Sequence, residues 1–210
     1  MDIFNTIAEK AHQAFEARNK ARDQALAQAR QLTRFAAHTI RAIHRSESSL
    51  AHENLDQARE LVASLKRDLA GFPDLFYAGY TQDAIKEYAE ASITCAVIEN
   101  QPLPTPEDLG IEYATYLNGL AETTGELRRR CLDILRQGYS AEAERLLTCM
   151  DEIYAMLVTM DYADAITYNL RRHTDLVRGI VERTRADLTL SLRENRLQEA
   201  LQEVSKKFAK

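Results

Sequence analysis

Apolar residues recur at helical spacing along nearly the whole chain, and short polar or proline-containing breaks separate the stretches. Spacings of three and four residues between apolar positions are typical of amphipathic helices. The pattern predicts helices over about 3–45, 50–69, 74–100, 113–136, 141–159, 162–193 and 197–208. We therefore expect an all-α fold: an elongated bundle of about six or seven helices with a long first helix, in a single helical domain over 1–210.

The breaks between these stretches carry residues that start and stop helices. In the loop that begins at Gln101, Thr105 has the position of an N-cap, Pro106 that of the first helical residue, and Asp108 that of the acidic partner in a capping box. Gly138 and Ser140 are expected to end one helix and cap the next. These capping and helix-terminating residues therefore support a series of separate helices.

The first helix is too long for a compact domain of this size. A helix of ~40 residues is ~60 Å long at a rise of 1.5 Å per residue. That length exceeds the diameter of a compact 210-residue domain. We therefore expect part of this helix to pack on another subunit.

The composition favours helices and excludes several classes of protein. Hydrophobic residues make up 45% of the chain and charged residues 28%, with only 7 Gly and 4 Pro. An all-β fold, a disulfide scaffold and a disordered chain do not fit these values. No apolar run approaches the ~20 residues of a membrane span, and no secretory signal is visible. We expect a cytoplasmic protein that makes no membrane contact.

The net charge and the number and spacing of the cysteines exclude further classes of protein. A formal net charge of −5 argues against a protein that coats nucleic acid by bulk charge, but it leaves room for a local basic surface. Cys95, Cys131 and Cys149 are odd in number and widely spaced, and their spacing does not suit zinc. Buried, reduced thiols are the expectation, in agreement with a reducing cytoplasm.

Two glutamates interrupt the most apolar of the predicted helices. Glu87 and Glu90 are three residues apart, so they share a helix face, and their neighbours are mainly apolar. One interpretation is a solvated acidic face. The other is a pair of oxygen ligands for a hard divalent cation such as Mg²⁺ or Mn²⁺.

Further acids lie on later helices. Glu122 and Glu126 are four residues apart on one face, with Gly125 between them, and Asp151 is flanked by apolar residues. Each of these could simply face water. Carboxylates that converge from different helices of a bundle could instead form a metal site suited to phosphodiester hydrolysis.

The first helix carries a cationic stripe. At 100° per residue its members fall within an arc of about 80° and extend for ~22 Å, a length that matches several phosphates of a single strand. A solvated charged face is the alternative. The stripe consists of Arg30, Arg34, His38, Arg41 and Arg45.

In four places the sequence resembles the translin superfamily, and more closely its catalytic branch, translin-associated factor X (Trax). The first is the segment from Ala29 to Arg45. The second is EYAEA at 87–91, similar to the EYxEA motif of Trax. The third is YLNGLAETTGEL at 116–127, similar to the family's YLxGxAxxTGEL segment, and the fourth is Met150-Asp151. The plain translin branch lacks the glutamate pair, so the resemblance favours the nuclease-competent branch.

The resemblance implies a specific function. It implies a fold of about seven helices, assembly into a hollow homo-oligomer, typically an octamer, and Mg²⁺-dependent (or Mn²⁺-dependent) endoribonuclease activity on single-stranded RNA. Glu87, Glu90 and Asp151 would be the catalytic carboxylates, and the metal ligands would be these three with Glu126. The short chain looks like a prokaryotic, stand-alone member that assembles with itself.

Two other functions stay open at this point. One is a non-catalytic protein that binds single-stranded RNA or single-stranded DNA through the same surface. The other is a helical adaptor whose long first helix serves only assembly. Metal-dependent shortening of RNA separates the enzyme from the binding protein, and salt-sensitive nucleic-acid binding separates both from the adaptor.

Overall fold

The structure is a computed structural model that describes residues 2–208, and within that range it is all-α, without a strand. This confirms the predicted fold class. Three of the nine helices in residues 2–208 are single turns, so the number of long helices agrees with the prediction. The helices are α1 (Asp2–His44), α2 (Ser48–Asp68), α3 (Pro73–Phe76), α4 (Gly79–Ile98), α5 (Pro106–Leu109), α6 (Tyr113–Leu135), α7 (Ala141–Leu157), α8 (Asp164–Thr167) and α9 (Leu170–Phe208).

The chain forms two compact units, Met1–Ser92 and Ile93–Lys210, and the boundary falls within α4. In the first unit, α1 packs along α2. The contact face of α1 alternates small and large apolar residues, such as Leu32 and Ala36, and α2 contributes Ala58 and Leu65. Alanines let two helix backbones approach, and leucines fill the remaining space.

The first half of α1 lies apart from this packed face. Residues 2–10 and 12–20 are all exposed, including Ile3, Phe4, Ile7 and Phe15. A run of about 20 residues is ~30 Å long. That another subunit covers it stays a prediction.

The second unit is built around α6, which packs against α7 and α9. Its buried residues include Leu127 of α6, Met150 of α7 and Val181 of α9. The three cysteines are free thiols, with Cys95 and Cys131 buried and Cys149 half-buried. Burial raises the pKa of Cys95 to about 12 and that of Cys131 to about 11, so both thiols stay protonated and unreactive at neutral pH.

Two predicted caps are confirmed in the structure. Thr105 and Asp108 form a capping box, with Pro106 in the first turn of α5. The Ser140 side chain accepts a hydrogen bond from the backbone N–H of Glu142 at the start of α7. Both motifs close within one turn of the chain, so no distant contact is needed to form them.

Two predicted boundaries are wrong, and the third predicted helix is divided into α3 and α4 at Gly79, a residue type that favours a break. The stretch from 162 contains α8 and then two left-handed residues, Tyr168 and Asn169, before α9 begins. The predicted break near 193–197 does not exist, because Glu194, Asn195 and Arg196 continue α9 without a Gly or Pro to stop it.

No helix in 2–208 is long and apolar enough to cross a membrane.

Candidate functional site

Helix α4 is buried around most of its circumference, and Glu87 and Glu90 are half-buried on it. Tyr88, Ala89 and Ala91 beside them are each at most 1% exposed. Removing a carboxylate from water is costly unless a hydrogen bond, a cation or a metal compensates it. The two glutamates therefore occupy positions where ordinary packing would favour apolar residues.

Glu122 of α6 joins these two glutamates in a cluster. Glu87, Glu90 and Glu122 each offer one carboxylate oxygen, and the three oxygens lie within 4.8 Å of one another. All three residues are half-buried. Three residues after Glu122, a Cβ built at Gly125 meets no atom within 4 Å, so nothing in the chain itself requires a glycine there. We call Glu87, Glu90 and Glu122 the acidic cluster.

The acidic cluster has the chemistry of a site for a hard divalent cation. Mg²⁺ and Mn²⁺ prefer carboxylate oxygens, and Mg²⁺ keeps several water molecules besides its protein ligands. Like charges at this separation repel each other, and a bound cation offsets the repulsion. Half-burial excludes part of the solvent from the three carboxylates.

The other two predicted acids are engaged elsewhere. Asp151 of α7 accepts a short hydrogen bond from Arg185 of α9, and this contact raises the pKa of the Arg185 guanidinium. Glu126 accepts from Arg129 at 3.5 Å, one turn along α6. The structure thus groups Glu122 with the predicted glutamate pair, and the metal-binding roles of Glu126 and Asp151 stay predictions.

Sequence reasoning noticed Glu122 but did not include it among the metal ligands. Its i, i+4 spacing to Glu126 put both acids on one face of α6. Spacing along a helix does not say which of two acids lies nearer to another helix, because that depends on the rotation of α6 in the packed protein. The sequence showed that Glu122 and Glu126 share a helix face, and it gave no further information on which of them is the ligand.

Most of the cationic stripe is exposed, and its role in binding stays a prediction. Arg30, Arg34 and Arg41 lie on the outer face of α1, Arg45 follows in the turn after the helix, and His38 is half-buried. Within 2–208 none of the four arginines forms an ion pair with a carboxylate. Arg41 donates from Nε to the Ala37 carbonyl at 3.3 Å. The other donors of these guanidinium groups are therefore available to an anion.

One end of the stripe borders a cleft of about 280 Å³ at the turn between α1 and α2. The cleft is lined by three residues of the stripe, His38, Arg41 and Arg45, and by Glu47 and Asn54 among others. Arginine binds phosphate through a planar fork of donors, and neutral histidine and asparagine add single hydrogen bonds. The cleft therefore combines cationic donors of the stripe with the carboxylate of Glu47.

Two of the three consecutive arginines of α6 have partners within the second unit. Arg128 reaches Asp187 at 2.8 Å and Thr184 at 3.1 Å, both on α9, and Arg129 reaches Glu126. These contacts hold α6 to α9 and to itself. Arg128 and Arg129 are therefore structural cations in this unit.

The chain is similar to known proteins in both sequence and fold. Residues 9–194 match the sequence profile of the Translin family. An uncharacterized protein of Methanocaldococcus jannaschii is 32% identical over 190 residues, which cover 89% of this chain and 83% of that protein. The crystal structure of AfC3PO has a TM-score of 0.83 at 30% identity, covering 89% of this chain and 97% of that chain. The structure of an AfC3PO–duplex RNA complex has a TM-score of 0.82 at 31% identity and the same coverage.

Proposed function

The chain belongs to the translin family, and we propose that it is a Trax-like, Mg²⁺-dependent (or Mn²⁺-dependent) endoribonuclease that acts as a homo-oligomer on single-stranded RNA. A solved structure of the related AfC3PO is a complex with duplex RNA, which supports RNA as the class of ligand. The acidic cluster carries the proposal, because three carboxylates within 4.8 Å match the ligands of a catalytic divalent cation.

Each residue of the proposed site has a defined task. Glu87, Glu90 and Glu122 would hold the cation. A divalent cation in such a site polarises the phosphate and lowers the pKa of water. Asp151 is our candidate for the general base that removes a proton from the attacking water, and the hydrogen bond from Arg185 fixes the orientation of its carboxylate.

The cationic stripe would bind the RNA backbone. Its unpaired guanidinium groups contact phosphates without reading the bases, so binding is expected to be largely independent of sequence and sensitive to salt. The protein's negative net charge makes this local surface the principal attraction for RNA.

The deciding experiment measures RNA cleavage with matched variants. Labelled single-stranded and duplex RNA of the same sequence are incubated with Mg²⁺, Mn²⁺ or EDTA. We expect internal cleavage of the single strand that EDTA stops. Glu87→Gln, Glu90→Gln and Glu122→Gln should each reduce the rate by at least about 100-fold, because neutral amides are poorer ligands for a divalent cation. Asp83→Asn, an exposed acid on α4, is the control and should leave the rate unchanged.

Three outcomes would contradict parts of the proposal. Cleavage that persists in EDTA would exclude the metal-dependent mechanism. Binding of RNA without any metal-dependent shortening would identify the protein as a non-catalytic RNA- or DNA-binding member. Equal rates for Asp151→Asn and for its exposed neighbour Glu152→Gln would remove Asp151 from the catalytic residues.

The assembly state needs its own measurement. The exposed first half of α1 supports self-association, and the resemblance to Trax favours an octamer. Native mass spectrometry of the purified chain should show a single closed oligomer without a second kind of subunit. A monomer at micromolar concentration would contradict this part of the proposal.

A further inference from the structure

The second unit contains an apolar cleft that the proposed nuclease function does not use. Its volume is about 490 Å³, within the range of ligand-binding pockets. It lies where the start of α6 meets α8 and the segment before α8. Its walls include Tyr113, Tyr116, Leu117, Met160, Tyr162 and Ile166.

The cleft is held in shape by polar contacts between its lining residues and their neighbours. The Tyr116 hydroxyl donates to the Pro104 carbonyl at 2.8 Å, and the Tyr113 hydroxyl bonds to Glu107. Asn118 Nδ2 donates to the Thr167 carbonyl at 2.8 Å and so ties α6 to the end of α8. With both hydroxyl groups satisfied, the rings present apolar faces, and the cleft exists before any ligand arrives.

The cleft exposes more apolar surface than ordinary packing would leave. Tyr113 is 64% exposed, Tyr162 61% and Ile166 64%. Large side chains grouped in this way mark an interaction site more often than a random surface.

The charges around the cleft decide which occupant suits it. Acidic residues flank the lining residues along the chain, and among them Asp161 pairs with Arg171 at 2.5 Å. Of these acids, Glu107 contacts the lining residue Tyr113 directly. Acids predominate beside the lining residues and disfavour phosphates, so a nucleic acid is a poor occupant of this acidic rim. A segment with apolar and basic side chains fits best. The flanking acids are Glu107, Asp108, Glu112, Asp161 and Asp164.

The chain itself carries such a segment at the end of α9. Phe208 is 88% exposed and Val204 48%, and Lys206 and Lys207 lie in the same last turn. Another exposed apolar segment, at the start of α1, has the acid Asp2 in its first turn. Charge therefore favours the end of α9 as the occupant.

A single chain cannot place its own α9 end in its own cleft. Ile166 and Thr167 line the cleft just before α9 begins, and α9 then continues without interruption for 39 residues. At 1.5 Å per residue its last turn is about 57 Å from its first. The occupant must come from a second molecule.

We propose that this cleft binds the Val204–Phe208 end of α9 from a second copy of the chain. Phe208 fills the aromatic cleft, and the two lysines face its acidic rim. Two copies that exchange their α9 ends would form a closed, two-fold contact, which needs no further subunit. This contact does not depend on the acidic cluster, and its tests do not measure RNA cleavage.

A peptide-binding experiment tests the proposal directly. A fluorescein-labelled peptide of residues 196–208 is titrated with the full chain carrying Phe208→Asp, which frees the cleft of its own occupant. We expect saturable binding that weakens at least about tenfold when Ile166→Glu is added, and similarly when the peptide carries Phe208→Asp. Leu132→Glu, an exposed leucine on α6 that does not line the cleft, is the matched control and should leave binding unchanged.

A cross-link provides a second measurement. Chains with Ile166→Cys and Phe208→Cys together should form disulfide-linked pairs of chains under mild oxidation, at a higher yield than either single variant. Circular dichroism of each variant confirms that it is folded.

Several results would overturn the proposal. One is equal binding of the peptide to the Ile166→Glu and Leu132→Glu chains, and another is no binding to the Phe208→Asp chain. A third is a cross-linking yield no higher than that of the single variants. Weaker binding of a labelled single-stranded oligonucleotide to the Ile166→Glu chain, with unchanged peptide binding, would identify the cleft as a nucleobase site instead.

Discussion

The stripe arginines and three arginines of the second unit differ in whether an acid accompanies the guanidinium group, although the first unit also contains paired arginines such as Arg22. In the first unit, Arg30, Arg34, Arg41 and Arg45 are near one another on α1 and in the turn after it, without a carboxylate partner in 2–208. In the second unit, arginines pair with acids on their own or a neighbouring helix: Arg128 with Asp187, Arg145 with Glu142, and Arg185 with Asp151. A paired arginine connects parts of the fold, whereas an unpaired one stays available for an external anion. The comparison separates a binding surface from a structural network, although both are built from the same residue type, arginine.

The largest expected effect follows from removing the unpaired charges. Replacing Arg30, Arg34 and Arg41 together with alanine should weaken RNA binding by about 100- to 1,000-fold at low salt. The slope of the logarithm of the binding constant against the logarithm of the salt concentration should become shallower by about 0.7–0.9 for each lost phosphate contact. Unfolding in urea should change little, because all three side chains are exposed. Fluorescence anisotropy at several salt concentrations measures the binding.

The control for that variant lies on the same helix. Arg22 is exposed and within 3.3 Å of Asp23, so Arg22→Ala should alter RNA affinity by less than about twofold. Replacing the three stripe residues with lysine should restore most of the binding. Equal losses in the stripe variant and in Arg22→Ala would show that the stripe is only a solvated face.

Breaking the most buried of these ion pairs in the second unit should lower stability and leave RNA affinity unchanged, the reverse of the result expected for the stripe. Arg128 and Asp187 are 23% and 37% exposed, and Arg128 also donates to Thr184. Arg128→Ala leaves Asp187 partly buried without this cation, at a cost of about 1–2 kcal/mol. Urea denaturation should register this loss of stability, while RNA affinity stays within about twofold. A large loss of affinity without destabilisation would move Arg128 into the binding surface.

A smaller, pH-dependent effect is expected at Arg145. It donates to Glu142 and to the Val97 carbonyl at 2.8 Å, and its hydrogen bond to Glu142 lowers the pKa of that carboxyl group below its usual value. We expect Arg145→Ala to cost about 1 kcal/mol at pH 7, discounted for the 42% exposure of Glu142.

The sign of the pH dependence follows from the lowered pKa. A depressed folded-state pKa gives stability that is present above the unfolded value and is lost as the pH falls through the folded value. The stability difference between the wild type and Arg145→Ala should therefore be full at pH 7 and shrink below about pH 4. A difference that grows on acidification would contradict the assigned cause.

The smallest effect on stability is expected at the exposed pair of Arg185 and Asp151. Both side chains are more than 40% exposed, and exposed pairs contribute at most about 0.5 kcal/mol. Arg185→Ala should therefore leave urea denaturation almost unchanged. If Asp151 acts as the general base, the same variant should shift the pH profile of RNA cleavage, a readout that a merely structural pair would not affect.

Local patterns predicted much of the fold. The capping box at Thr105 and Asp108 and the cap at Ser140 are confirmed because each is complete within one turn. Helical spacing of apolar residues likewise identified the long helices. The break predicted near 193–197 was wrong, since polar residues without Gly or Pro do not stop a helix. The division between α8 and α9 depends on left-handed backbone at Tyr168 and Asn169, which neither residue type demands by itself.

The amino-acid sequence alone determined the helical class, the placement of Glu87 and Glu90 on one face, and the cationic stripe, because each depends on spacing within a single helix. Only the tertiary structure decided that Glu122 lies with this glutamate pair, that Asp151 faces Arg185, and that three tyrosines share one cleft. Those neighbours come from different helices, and the rotation and position of each helix are set by the packing of the whole core. Packing likewise decided which arginines have acidic partners and which remain available for an anion.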